Sequence, residues 1–241
     1  MNSTSEQERI PLLSACEVFK QFGYKEILKG VSLEMQPNQT TLLVGKNGAG
    51  KSTLIKILSG LMRPTQGKVL FEDKELSEIT DEYRKAFGLI THQTLFYDDL
   101  TAEENLLFFG RLKKVKDLKD KTREALEVTG LSQASGFLVK TYSSGMAKRL
   151  NIARLMITNP RLLFLDEPYS GLDIDSIKLL NRYLTDFKNN GGSALLISHQ
   201  IDACYDSSDR VAFLVNGRIS REVKCAEFSQ AELLEQYQEM N

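Results

Sequence analysis

Gly45-Lys46-Asn47-Gly48-Ala49-Gly50-Lys51-Ser52-Thr53 stands between an apolar run, Thr41-Leu42-Leu43-Val44, and an amphipathic one carrying Leu54, Ile55, Ile57 and Leu58. That order predicts a buried strand, a tight loop and a helix starting near Lys51. Glycines let the backbone wind so that successive N–H groups point inward, and the helix start adds its positive dipole end to the nest. The pattern G-x-x-x-x-G-K-[ST] is that of a nucleotide phosphate loop, with Gly45, Asn47, Gly48, Ala49, Gly50, Lys51, Ser52 and Thr53 around the phosphates. Lys51 supplies a point charge for the β- and γ-phosphates, and the Ser52 hydroxyl a ligand for the Mg²⁺ that bridges them. The strand before and the helix after set this loop apart from an accidental glycine-rich turn.

The 241 residues suffice for one α/β domain or two small lobes, and their hydrophobic and charged shares are those of an ordinary globular chain. With 31 basic against 32 acidic residues, no basic field draws the chain to nucleic acid or to an anionic bilayer. Cys16, Cys204 and Cys225 are odd in number, far apart and without a C-x-x-C, which reads as reduced thiols rather than a disulfide frame or zinc site. Met1 to Arg9 is polar and lacks the apolar centre of a signal peptide. No apolar run approaches the roughly twenty residues that span a bilayer, so work at a membrane requires another chain to hold this one there.

Around the loop, alternating apolar segments from Leu12 to Phe22 and Ile27 to Met35 predict an antiparallel edge sheet, with Gly23 and Gly30 as turns. Strands follow at Lys68 to Phe71 and Gly88 to Thr91. Past Gln93 the texture becomes helical. Thr101-Ala102-Glu103-Glu104 is a capping box opening a helix through Leu112, Lys114 to Val128 has helical spacing, and Gly130 is its C-cap. Tyr142-Ser143-Ser144-Gly145-Met146 precedes a helical pattern closed by Asn159-Pro160. Then Leu162 to Leu165, apolar on both faces, reads as a strand inside a parallel sheet. A helix over Asp173 to Asn189, a buried strand over Ala194 to Ser198 and a hairpin about Asn216-Gly217 follow, and Gln230 to Met240 reads as a short surface helix.

Asp166-Glu167-Pro168 ends the Leu162 strand. A carboxylate at a strand's C-terminal end faces the side of an α/β sheet where ligands bind. Asp166 is therefore expected at the Mg²⁺ and Glu167 beside an attacking water, as a general base. Taken alone, such a pair reads as a helix N-cap; behind a phosphate loop in one chain, the catalytic reading is favoured.

The loop at Gly45, then Gln93, Tyr142 to Met146, Asp166-Glu167-Pro168, Ser170-Gly171-Leu172-Asp173 and Ser198-His199 resemble, in order and spacing, the ATP-binding-cassette ATPases. The resemblance runs from Phe22 to the Asn216-Gly217 hairpin. It implies one α/β cassette: a P-loop NTPase core with a parallel sheet over about 10–93 and 159–225, an antiparallel β edge subdomain, a helical subdomain over about 94–158 and a tail over 226–241. By resemblance Phe22 stacks on adenine, with Tyr24 near enough to compete. Gln93 touches Mg²⁺ or the water and senses the transport partner, His199 contacts the γ-phosphate, and Asp173 communicates between two sites.

The segment at Ser143, Ser144 and Gly145 resembles the family signature, which binds the γ-phosphate of ATP held by the opposite subunit. Two cassettes facing head to tail are therefore implied, as a homodimer or with a sibling chain. Ser144 replaces a glycine and Met146 a glutamine of the usual signature, and Ser144 can still offer its N–H if its φ is negative. The variant signature and Glu167 to Asp173 look like exporter-type cassettes, among which the ATPase of the haem exporter of cytochrome c maturation is similar in style. The resemblance implies an ATP-hydrolysing subunit peripheral to the cytoplasmic face of a membrane, powering a separate integral permease. Leu95, Phe96, Tyr97 and Leu100 are candidates for the groove that receives it, or for internal packing. A soluble cassette ATPase acting on the ribosome or DNA, and a nucleotide switch without turnover, are the competing functions. Neither the paired cassettes nor the long coiled coil of such soluble members is visible, and Glu167 and His199 argue against a mere switch.

Overall fold

The computed structural model describes residues 10–78, 80–91 and 95–239. The phosphate loop grows out of a six-stranded sheet of order β10-β9-β3-β8-β7-β6. Its strands are β3 (Thr40–Val44), β6 (Phe87–Ile90), β7 (Leu162–Asp166), β8 (Ser193–Ile197), β9 (Arg210–Val215) and β10 (Arg218–Lys224). All neighbours run parallel except β9 and β10, whose hairpin adds one antiparallel edge to the parallel sheet expected.

Every residue of β3, β7 and β8 is buried, which explains their unbroken apolar runs. Alternation then divides them between two cores. Leu43, Phe164, Leu195 and Leu214 pack on one side with Leu54 and Ile55 of α1 (Lys51–Leu58). Leu42, Leu163, Leu165 and Phe213 pack on the other with α5 (Ser144–Thr158), α6 (Ile174–Asn189) and α8 (Gln230–Glu239).

A separate antiparallel sheet, order β2-β1-β4-β5, lies against the first core: β1 (Leu13–Phe22), β2 (Lys25–Met35), β4 (Gln66–Phe71) and β5 (Lys74–Glu75). Gly23 makes its hairpin turn at φ 57°, but Gly30 does not turn the chain. It lies inside β2, where the register slips between Val18↔Val31 and Phe19↔Lys29. A Cβ on Gly30 would come within 2.9 Å of the Phe19 ring, so the residue admits that ring at a bulge.

Helix α3 (Ala102–Leu112) begins with the expected capping box: Glu104 N–H donates to Thr101 Oγ1 at 3.2 Å, and Thr101 N–H to the Glu104 carboxylate at 2.8 Å. Helix α4 spans Leu118–Val128 and starts later than the periodicity predicts, because Lys114 and Asp117 both take left-handed φ and turn the chain back. Gly130 ends it as expected, at φ 67°. The helix α2 (Thr80–Ala86) and the short α7 (Ile201–Cys204) have no counterpart in the sequence reading. Phe96, Leu106, Leu126, Leu150 and Ala153 form a third core among α3, α4 and α5.

Arg154 ties that helical cluster to the sheet. It is buried, its Nη2 donates to Leu89 O at 2.6 Å and to Asn151 Oδ1 at 3.2 Å, and its guanidinium lies over the Phe96 and Phe109 rings. Burial pushes its pKa down to about 10. Arg154→Ala removes the donor for a buried carbonyl and leaves a void, so a loss of about 2–4 kcal/mol is expected. A urea titration reads this as a lower midpoint at unchanged slope. A midpoint within error of wild type would contradict this role for Arg154.

Candidate active site

Because β3, β8 and β7 are parallel neighbours, the chain leaves all three at one edge of the sheet. Gly45 follows β3, Ser198-His199 follows β8 and Asp166-Glu167 closes β7, so residues more than a hundred positions apart in sequence meet there.

At the loop, Gly50 takes φ 107°, and a Cβ on it would come within 2.7 Å of the Leu28 side chain, so only glycine fits. The N–H groups of Gly48, Gly50, Lys51, Ser52 and Thr53 find no acceptor among the described residues. No acidic residue stands in the first turn of α1 to satisfy them. Lys51 is folded onto the loop, donating from Nζ to Gly45 O at 2.5 Å and Lys46 O at 3.0 Å. Burial holds its pKa below the ordinary lysine value, opposed by the charges of Glu167 and Asp166. A cradle of free N–H donors around a buried lysine fits an anion.

Glu167 takes φ 53°, a left-handed conformation that costs a non-glycine residue about 1–2 kcal/mol. The turn is held by its own N–H donating to Ile197 O at 2.9 Å, and it brings the carboxylate to the residue after β8. His199 N–H donates to Glu167 Oε2 at 3.2 Å. His199 Nε2 lies 3.2 Å from Glu167 Oε1, which is buried yet receives no hydrogen bond. That oxygen retains a free acceptor position for a water or a ligand proton. Asp166 is buried at the strand end and Ser52 is exposed at the helix start. A carboxylate and a hydroxyl beside an anion cradle are hard oxygen donors of the kind Mg²⁺ takes.

The remaining expected residues are dispersed. Phe22 is half-exposed at the end of β1, with the Lys20 ammonium 5.1 Å from its ring centroid, and Tyr24 is fully exposed in the adjoining turn. Asp173 caps α6: its Oδ1 accepts from Ser176 N–H at 2.8 Å, and hydrogen bonds from Ser176 hold its carboxyl below the usual range. Gln93 lies outside the described residues. Ser143 caps α5, accepting from Met146 N–H at 3.2 Å, and Ser144 and Gly145 follow without positive φ. No hydrogen bond among the described residues joins this segment to the chain's own phosphate loop.

The ABC transporter family matches residues 28–170, more than half of the chain. This chain belongs to the ABC transporter family. Linearmycin resistance ATP-binding protein LnrL of Bacillus subtilis is 30% identical over 210 residues, 86% of this chain and 68% of LnrL. Lantibiotic transport ATP-binding protein SrtF of Streptococcus pyogenes is 34% identical over 200 residues, 83% of this chain and 85% of SrtF. A solved ATP-binding subunit of an ABC transporter superposes with a TM-score of 0.87 at 25% identity, over 94% of this chain and 99% of that one. The cassette here is thus the ATP-binding, ATP-hydrolysing subunit of an ABC transporter. Among the described residues, no helix is long and apolar enough to cross a membrane.

Two features of the site escaped the sequence reading. The tail helix α8 is not a free surface helix: Leu233 is buried, and Leu234 and Tyr237 pack on the second core. It also delivers Tyr237, whose hydroxyl lies 2.9 Å from His199 Nδ1. The signals were there, in the capping pair Ser229 and Glu232 and in the i, i+4 spacing of Leu233 and Tyr237.

Proposed function

We propose that this subunit drives export through a separate integral membrane permease, working as a head-to-tail pair with a second copy or a sibling cassette. The observation that carries the ATP-driven part of the reading is the cradle of free N–H groups of Gly48, Gly50, Lys51, Ser52 and Thr53 beside the unsatisfied Glu167 oxygen. ATP enters with its phosphates on Gly45 to Thr53 and Lys51, and its adenine on Phe22. Ser52, Asp166 and Gln93 hold Mg²⁺, which when bound neutralises charge on the β- and γ-phosphates. Glu167 takes the proton of the attacking water and His199 donates to the γ-phosphate. Ser143, Ser144 and Gly145 close over the γ-phosphate of the partner's ATP, and Asp173 links the two sites.

Transport is supported by the name of the lantibiotic relative, and export by that of a further relative, the fluoroquinolones export ATP-binding protein of Mycobacterium tuberculosis, 36% identical over 192 residues. Haem draws no support from those names. The permease places the subunit at the inner face of the membrane. Its docking surface includes Leu95 and Tyr97, both about half-exposed, with Tyr97 backed by the Phe108 ring at 4.9 Å. Phe96 is not part of it, since that ring is 8% exposed and packs in the helical core.

The test is recovery of tagged Glu167→Gln protein, with ATP, from detergent-solubilised native membranes. A multi-span membrane protein is expected to come with it, and Tyr97→Glu in the same background is expected to lose that protein while remaining folded. Recovery of ribosomes, DNA-bound proteins or the chain alone would contradict the transport reading.

A further inference from the structure

Tyr237 sits where no sequence motif of the site leads, between the tip of the phosphate loop and His199. Its ring lines a cavity of about 350 Å³ together with Lys46, Asn47 and Gly48, and its hydroxyl reaches His199 Nδ1. The placement is over-determined. Ser229 and Glu232 cap the start of α8 reciprocally, Gln230 Nε2 donates to Asp202 Oδ1 at 3.1 Å, Arg221 Nη1 donates to Gln236 Oε1 at 3.3 Å, and Leu233 anchors the helix in the second core. Asp202 lies in α7, which begins two residues after His199, so α8 is tied to the same turn that carries the histidine.

The two ring nitrogens of His199 face groups of different kinds. Nε2 is 3.2 Å from a carboxylate oxygen of Glu167, which when ionised only accepts. With Nε2 only 3.2 Å from that anion, a proton on Nε2 is electrostatically favoured over a lone pair even though the direction makes no hydrogen bond to Oε1, so in the neutral ring Nε2 carries the proton. Nδ1 is then the acceptor, and the Tyr237 O–H is its donor at 2.9 Å. We propose that Tyr237 is a positioning residue for His199: by donating to Nδ1 it fixes the Nε2–H tautomer and aims that N–H along the edge shared by Glu167 and the phosphate loop. The proposal rests on His199 donating to the γ-phosphate. For that donation the Nε2–H form is the competent one, and the other tautomer would present a lone pair to an anion.

The chain has two histidines, so ring-nitrogen NMR is readily assigned, with His199→Asn identifying the His199 signals by their loss. At pH 8, nucleotide-free wild type is expected to show a pyridine-like Nδ1 and a pyrrole-like Nε2 at His199. Tyr237→Phe keeps the ring on its apolar neighbours but removes the donor. It is expected to give a mixture of tautomers at an unchanged melting temperature, and to lower kcat by about 2- to 10-fold, the worth of one hydrogen bond, with KM for ATP little altered. A wild-type ring protonated at Nδ1, or a tautomer indifferent to Tyr237→Phe, would overturn the positioning role. A tautomer change without a change in kcat would instead overturn the action of His199 at the γ-phosphate. The spectrum, taken without nucleotide, separates the two failures.

Discussion

Glu167→Gln is expected to lower ATP turnover by on the order of 10²- to 10⁴-fold, the contribution of a positioned general base, while ATP binding survives. The substitution keeps the shape of the side chain and its carbonyl oxygen still accepts from His199 N–H, the bond now made at 3.2 Å. What disappears is the acceptor for the water's proton and one negative charge beside the site for the γ-phosphate. Lys51 keeps its two backbone acceptors and the N–H cradle is untouched, so the phosphates are held as before. With hydrolysis stopped, ATP-bound pairs accumulate. Steady-state turnover and size-exclusion chromatography with and without ATP read the two effects. Turnover equal to wild type would remove Glu167 from the base role.

Gly145→Asp is expected to reduce turnover at least as far without unfolding the chain. Gly145 is in the first turn of α5, has no positive φ, and a Cβ on it meets nothing within 4 Å. The new side chain therefore costs the isolated subunit little, and an acid near a helix start is electrostatically favourable there. In the head-to-tail pair proposed above, the same carboxylate would face the γ-phosphate of the other subunit's ATP. Juxtaposed like charges cost several kcal/mol, which prevents closure. The variant should melt with wild type and fail to dimerise with ATP. A melting temperature well below wild type would contradict the open surroundings of Gly145, and intact ATP-driven dimerisation would remove Gly145 from the interface.

The nucleotide core was legible because its chemistry is local. Nine consecutive residues make the phosphate loop, and the apolar run of β7 delivers Asp166 and Glu167 at its end. The capping box at Thr101 and the C-cap at Gly130 were legible for the same reason. What escaped depended on contacts between distant residues. Gly30 reads as a turn until the Phe19 ring on the neighbouring strand is seen to need its missing Cβ. Phe96 and Tyr97 are adjacent aromatics, and only packing against Leu106 and Leu150 sends one inward while the other stays on the surface. Tyr237 lies 38 positions from His199, and no local pattern couples them.

On the function proposed here, each working site is shared between two chains, one giving the phosphate loop and the other the Ser143 to Gly145 segment. Mixing inactive Lys51→Ala protein with inactive Gly145→Asp protein tests it most directly. Each mixed pair contains one site with an intact phosphate loop from the second variant and an intact signature from the first. ATP hydrolysis well above the sum of the two variants alone is the predicted result. If the mixture hydrolyses no more ATP than its components, the site belongs to a single chain and is not shared.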